Sequence, residues 1–244
     1  MKKNIAENNL KEYLNRQESL TLDEIFALFQ RIEPDISRNA VKLRIFRLIQ
    51  KGTIQRSGHG AITIAGKSEF KPQLDKEQKR IALHIRKRFP YADYCCWRFS
   101  SIREFHQHIS VVDFLIVEVE RGALGTIYNF LMESREDVFK KPNKEIIEDI
   151  IIGKKNPIIV KALIMESPII RVNKIPVPAL EKILVDLYSD KELFYFLQGN
   201  ELLHIFRNAL DKYVVNIDKM LRYARRRGKE EELRGMLQQI EKSN

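Results

Sequence analysis

SRNAVKLRIFRLIQKGTIQRSGHGAITI, residues 37–64, decides how this chain is read. Its cationic first half has the pattern of a helix that runs into Gly52. A short strand is expected over 53–56, the Gly58-His59-Gly60 triplet supplies a reversal, and 61–64 returns as the second arm of a hairpin. Two further helical segments precede it, over 5–16 and 22–31. Three helices followed by a β-hairpin make a winged helix-turn-helix, in which the third helix enters a groove of DNA.

A helix over 37–51 can be unrolled at about 100° per residue. Val41, Ile45, Leu48 and Ile49 then share one arc and must pack on the first two helices. Asn39, Leu43, Arg47 and Gln50 lie opposite, flanked by Arg44 and Lys51, and Ser37 is placed to cap the start. Arginine takes guanine with two parallel hydrogen bonds, so Arg44 and Arg47 are the expected base readers, with Asn39 as a lesser one. Lys42 sits nearer the core edge and suits a phosphate on the flank. In the hairpin, Arg56 and His59 would approach the adjacent backbone or minor groove. The plainer alternative is a winged helix that contacts another protein, its arginines forming a solvated face.

The 244 residues are 44% hydrophobic and 31% charged, which suits one large globular domain or two ordinary ones. The formal net charge of +10 favours a polyanionic partner. The opening MKKNIAENNLKEYL has no apolar core behind its lysines, so no signal peptide is expected, and no apolar run approaches bilayer length. Cys95 and Cys96 are neighbours in a strand-like segment and would face opposite ways, which argues against a disulfide and for a reducing, cytoplasmic setting.

The expected division is a DNA-binding domain over 1–66, a polar linker with Pro72 over 67–76, and a second domain over 77–244. That second part reads as a helix over 77–89 stopped by Pro90, strands over 94–99, 111–120, 158–163 and 169–172, and helices over 123–132 and 144–152. Pro176 and Pro178 lead into a helix over 179–188, and helical pieces follow over 193–197, 202–210, 216–227 and 230–240. The fold class is therefore α+β: a winged helix, then a mixed α/β domain with a helical carboxyl-terminal tail.

Arg222, Arg225, Arg226 and Arg227 crowd one helix end. They complement the helix dipole there, or form a second phosphate-contacting patch. Catalytic chemistry is mostly missing. Asp113, Glu118 and Glu120 could belong to a metal-dependent nuclease of restriction-enzyme-like fold, but the lysine that such a site needs after its glutamate is replaced by Glu120. Alternation along a strand also puts Asp113 on the face opposite Glu118 and Glu120. His106 and His108, with the two cysteines, are the one arrangement suggesting zinc, and they lack the usual ligand spacings. Glu181 and Asp186 are five apart and do not share a helix face well. No phosphate-binding loop, nucleophile elbow or paired-aspartate nucleotidyltransferase motif occurs. A binder is expected rather than an enzyme, with no cofactor and no metal.

Three stretches carry a family resemblance: KGTIQRSGHGAITI within the winged helix, IPVPALEKILVDLY over 175–188, and NIDKMLRYARRRG over 216–228. With them the chain resembles the AbiEi-like antitoxins and regulators of type IV (abortive infection) toxin–antitoxin systems. The resemblance implies a first domain that binds the operon promoter as double-stranded DNA and represses it. It implies a second domain that neutralises a nucleotidyltransferase-like toxin, with or without direct contact.

Overall fold

A capping box starts the second helix: the Thr21 hydroxyl accepts from the Glu24 N–H at 3.3 Å while the Glu24 carboxylate accepts from the Thr21 N–H at 2.7 Å. The computed structural model describes residues 2–16, 19–50, 53–57, 61–106 and 112–242. They form a mixed α and β protein of two compact units.

The first unit comprises Met1–Phe70 with Ala209–Lys219. Helices α1 (Lys2–Arg16), α2 (Leu22–Ile32) and α3 (Arg38–Gln50) precede strands β1 (Ile54–Arg56) and β2 (Ile62–Ile64). The two strands pair antiparallel, Ile54 opposite Ile64. Leu20, between α1 and α2, adds a bridge to β2 through bonds of 2.8 and 2.9 Å with Ile62. Leu10 and Leu14 of α1, Ile25 and Phe29 of α2, and Val41, Ile45 and Leu48 of α3 meet Ile54 and Ile62 in one core. A contiguous domain over 1–66 omits one contribution. Ser68 bridges Tyr213, and the Phe70 ring meets the Tyr213 ring edge-on at 5.3 Å.

The second unit, Lys71–Asn208 with Met220–Asn244, is built on a four-stranded sheet. Asp75 caps α4 (Lys76–Arg88) by accepting from the Gln78 N–H at 2.7 Å. Then come β3 (Tyr94–Arg98), β4 (Leu115–Val119), α5 (Leu124–Met132), β5 (Val138–Lys140), the single turn α6 (Lys144–Ile146) and β6 (Ile158–Ala162). The sheet order is β3-β4-β6-β5, with β3 antiparallel to β4 and the other pairs parallel. Strands β7 (Ile169–Val172) and β8 (Ile175–Pro178) form a separate antiparallel ribbon. Helices α7 (Leu180–Ser189), α8 (Asn200–Lys212), α9 (Ile217–Arg226) and α10 (Glu230–Lys242) complete the chain.

Three readings change. Residues 175–178 are a strand although two of the four are proline; a two-stranded ribbon tolerates the missing donors that a central strand would not. Strand β5 is only three residues long, too short to show alternation. Beyond α6 the backbone widens into a π-type turn over Ile147–Ile151, so 144–152 is not one regular α-helix.

Alternation divides the sheet. Tyr94, Cys96, Leu115, Val117, Ile158 and Val160 face Ile81, Ile85, Ile127 and Leu131 of α4 and α5 in an apolar core. The opposite face holds an ionic network under α7. Fully buried Glu118 accepts from the Trp97 indole at 3.2 Å, and Lys182 Nζ donates to both its oxygens at 2.7 Å. The same ammonium donates to Asp186, one helical turn along. Asp186 accepts from the Tyr223 hydroxyl at 2.8 Å and faces Arg227 at 3.8 Å. Arg227 lies 3.6 Å from Asp190, which pairs with Lys161, the residue opposite Glu118 across the β4–β6 register. Three carboxylates thus balance three cations.

Burial by itself would raise the Asp186 carboxyl, but Lys182, Lys161 and Arg227 outweigh it and hold it down at about 2. Burial also works against the Lys182 ammonium, yet Asp186 and Glu118 keep its proton held well above the ordinary lysine range. Removing one partner of such a network strands the others in a dry interior. Lys182→Met is expected to lower stability by about 3–5 kcal/mol in urea denaturation; a loss under about 1 kcal/mol would contradict the structural role.

Because the Asp186 carboxyl is lowered in the folded state, its contribution is complete above about pH 4 and disappears as pH falls through its folded value. Thermal melts should therefore weaken from about pH 4 down to about 2, and Asp186→Asn should flatten that part of the profile.

Candidate nucleic-acid interface

Helix α3 begins where Ser37 caps it, its hydroxyl accepting from the Ala40 N–H at 3.2 Å. Val41, Ile45 and Leu48 are buried and Ile49 packs beside them, which is the arc the sequence wheel assigns to the core. The outer face carries Asn39, Lys42, Leu43, Phe46, Arg47 and Gln50, all exposed. Leu43 and Phe46 are 49% and 56% exposed, so this face alternates cationic, amide and apolar side chains. Among the described residues, neither Lys42 nor Arg47 has an ion-pair partner.

Arg44 is not on that face. Its guanidinium donates to both oxygens of Glu33 at 2.7 Å, lies 5.6 Å from the centre of the Phe29 ring, and leaves its side chain 15% exposed. The Glu33 hydrogen bonds raise its pKa further against the cost of burial. The physical reason is position: Arg44 is three residues after buried Val41 and one before buried Ile45, so it borders the core arc. The carboxylate just past the end of α2 then captures it. Arg44 ties α3 to α2 and is withdrawn as a base reader. Arg38, the first residue of the helix, pairs with Asp23 at 3.0 Å.

Arg56 is exposed on β1 and, among the described residues, has no ion-pair partner. Lys51, His59 and the Gly58–Gly60 turn lie outside the described residues.

The late arginines do not form one patch. Arg225 pairs with Glu230, Arg226 with Glu166, and Arg227 joins the buried network, which leaves Arg222 exposed. Helix-end crowding is here mostly internal charge matching.

The carboxylates of the nuclease alternative also separate. Glu118 sits opposite Cys95 in the register, on the face that Trp97 shares, and is sealed by Lys182. Asp113 accepts from the Ser100 N–H at 2.9 Å and lies 3.7 Å from Arg98, which projects from the other face of β3. Glu120 falls past the end of β4 and is exposed, so it does not share a strand face with Glu118. His106 packs edge-on against Phe99 at 5.3 Å, and burial lowers its pKa; His108 lies outside the described residues. Cys95 and Cys96 are buried free thiols, and burial raises both, Cys96 to about 12. Among the described residues no cluster of three His, Cys, Asp or Glu is placed to hold a metal ion. None of the described helices is long and apolar enough to cross a membrane.

The sequence reading missed Lys161 and Lys182. A signal existed for the second: Lys182 and Asp186 are four apart on one helix and so face each other, whereas Glu181 and Asp186 do not. Phe46 was also missed: the wheel placed Leu43 on the outer face but assigned Phe46 to neither arc, and it is 56% exposed.

Residues 40–243 match DUF6577, a family of unknown function, and the chain belongs to that family. No curated protein matches the chain.

If Arg44 is a strut, Arg44→Ala costs about 1–3 kcal/mol of stability. Chemical denaturation checks this, and a variant as stable as the parent would return Arg44 to the list of ligand-binding groups.

Proposed function

We propose that the first unit is a winged helix that binds double-stranded DNA through the outer face of α3, and that the protein represses its own operon. The observation that carries the reading is the open face of Asn39, Lys42, Leu43, Phe46, Arg47 and Gln50 on the third of three helices, directly before a hairpin. The isolated bridge from Leu20 to β2 supports it as well, because backbone between the first two helices that pairs with the last strand suits a winged-helix plan.

The side chains suit a major groove. Arg47 takes guanine O6 and N7, Asn39 or Gln50 takes adenine, and Lys42 neutralises a phosphate. Leu43 and Phe46 fit thymine methyl groups, the apolar feature of that groove. Arg56 on β1 reaches the flanking backbone. Such a repressor acts in the cytoplasm.

The resemblance to AbiEi-like antitoxins extends the proposal to toxin neutralisation by the second unit. Two of the three stretches behind that resemblance supply the buried network, Lys182 and Asp186 from one and Tyr223 and Arg227 from the other. Co-expression with a nucleotidyltransferase-like toxin encoded in the same operon tests this part, with restored growth as the supporting result and unrelieved toxicity as the contrary one.

Mobility shifts on the native promoter test the DNA part. Arg47→Ala should weaken specific binding by about 1–3 kcal/mol, and Lys42→Ala should weaken binding to all sequences alike while reducing the salt slope by about one. Unchanged shifts in both variants would end the DNA reading. The exposed pair Leu43 and Phe46 would then favour a protein partner on α3.

A further inference from the structure

We infer that an open cleft at the carboxyl ends of β4 and β6 binds a nucleoside phosphate, with arginines from three elements on the phosphates and Tyr91 stacked on the base. The cleft belongs wholly to the second unit and encloses about 1150 Å³. Open sheets with parallel strands gather ligands beyond those carboxyl ends, where loops converge and backbone is free to be shaped around a substrate. A volume on the order of 300–1,000 Å³ is usual for small-molecule sites, so this one, open at its rim, is large enough.

Its charge is arranged rather than merely present. Arg86 comes from the last turn of α4, Arg121 from the turn after β4, and Arg171 from β7. Among the described residues none of the three has an ion-pair partner. That sets them apart from Arg226 at the same cleft, which Glu166 neutralises, and from Arg98 and Arg135 elsewhere in the unit, each held by two or more carboxylates. Arg86 and Arg171 line the same cleft as Tyr94. Burial pushes the Tyr94 hydroxyl up to about 12, and these two guanidinium groups are near enough to oppose the rise. Asp93, Glu120 and Glu166 also line the cleft, but guanidinium groups that none of them pairs with suit the bidentate geometry of phosphate oxygens.

The rim supplies what a phosphate alone would not need. Tyr91 is 96% exposed and Met165 is 81% exposed, two large side chains that bury almost nothing on folding yet border the same cleft. A flat aromatic base covers a tyrosine ring in a way that water does not, and a thioether packs well on such a ring. Glu120, exposed beside them, offers an acceptor for sugar hydroxyls. Together these are sites for phosphate, sugar and base.

Isothermal titration of the full chain with ATP, GTP, adenosine and tripolyphosphate tests the inference. ATP or GTP should bind saturably, tripolyphosphate more weakly, and adenosine hardly at all. Arg171→Glu and Arg121→Glu, both at exposed positions, should each reduce nucleotide affinity at least about tenfold. Tyr91→Ala should reduce nucleotide affinity about tenfold while leaving tripolyphosphate binding unchanged. Thermal melts matching the parent exclude misfolding, and Arg47→Ala should bind nucleotide normally, which separates this site from the DNA-binding face. The inference is overturned if no nucleotide binds at millimolar concentration, if tripolyphosphate binds as tightly as ATP, or if the arginine variants bind undiminished. A single-stranded oligonucleotide that binds through Arg171 when mononucleotides do not would overturn it too.

Discussion

Glu118, Lys182 and Asp186 place two carboxylates and an ammonium where water does not reach, and the second unit is organised around keeping that arrangement complete. A charge taken out of water costs several kcal/mol unless it is met by opposite charge and by hydrogen bonds that fill its remaining valences. Every member here is met: Glu118 by Lys182 and the Trp97 indole, Asp186 by Lys182, Tyr223 and Arg227, and Asp190 by Lys161. The consequence is geometric. Lys182 reaches Glu118 only if α7 lies on that face of the sheet, and Tyr223 reaches Asp186 only if α9 lies against α7. An apolar interface would hold those helices as firmly but would permit sliding; a hydrogen-bonded set of charges permits one register.

The same matching of charge separates cations that brace the fold from cations left open. Arg44, Arg98, Arg135 and Arg227 are each matched by carboxylates and act as struts. Lys42, Arg47 and Arg56 in the first unit, and Arg86, Arg121 and Arg171 in the second, stay unmatched among the described residues. A basic protein of this size carries many cations for solubility alone, so net charge identifies nothing. Unmatched cations that share one helix face or one cleft, beside exposed apolar side chains, are more informative.

Much of this was legible in the sequence and some was not. The core arc of α3, the helix starts at Ser37 and Pro-flanked α7, and the two main strands followed from periodicity and capping, which are local properties. The role of Arg44 was not legible because it depends on Glu33, a carboxylate eleven residues away that the wheel does not contain. The return of Ala209–Lys219 to the first unit depends on long-range pairing with Ser68, which leaves no periodic trace. Strand β8 was hidden because proline signals helix starts and turns far more often than ribbon edges. Asp113 and Glu118 do lie apart, but the strand read over 111–120 is only Leu115–Val119, so neither Asp113 nor Glu120 belongs to it.

Site-specific photo-cross-linking measures the central claim most directly. A photoreactive phenylalanine analogue replaces Phe46 on the outer face of α3 in one version of the protein and Arg222 in another, and each is irradiated with the native promoter duplex. The account predicts a covalent DNA adduct from position 46, competed away by unlabelled promoter and lost at high salt, and none from position 222. An adduct from 222 with none from 46 would contradict it.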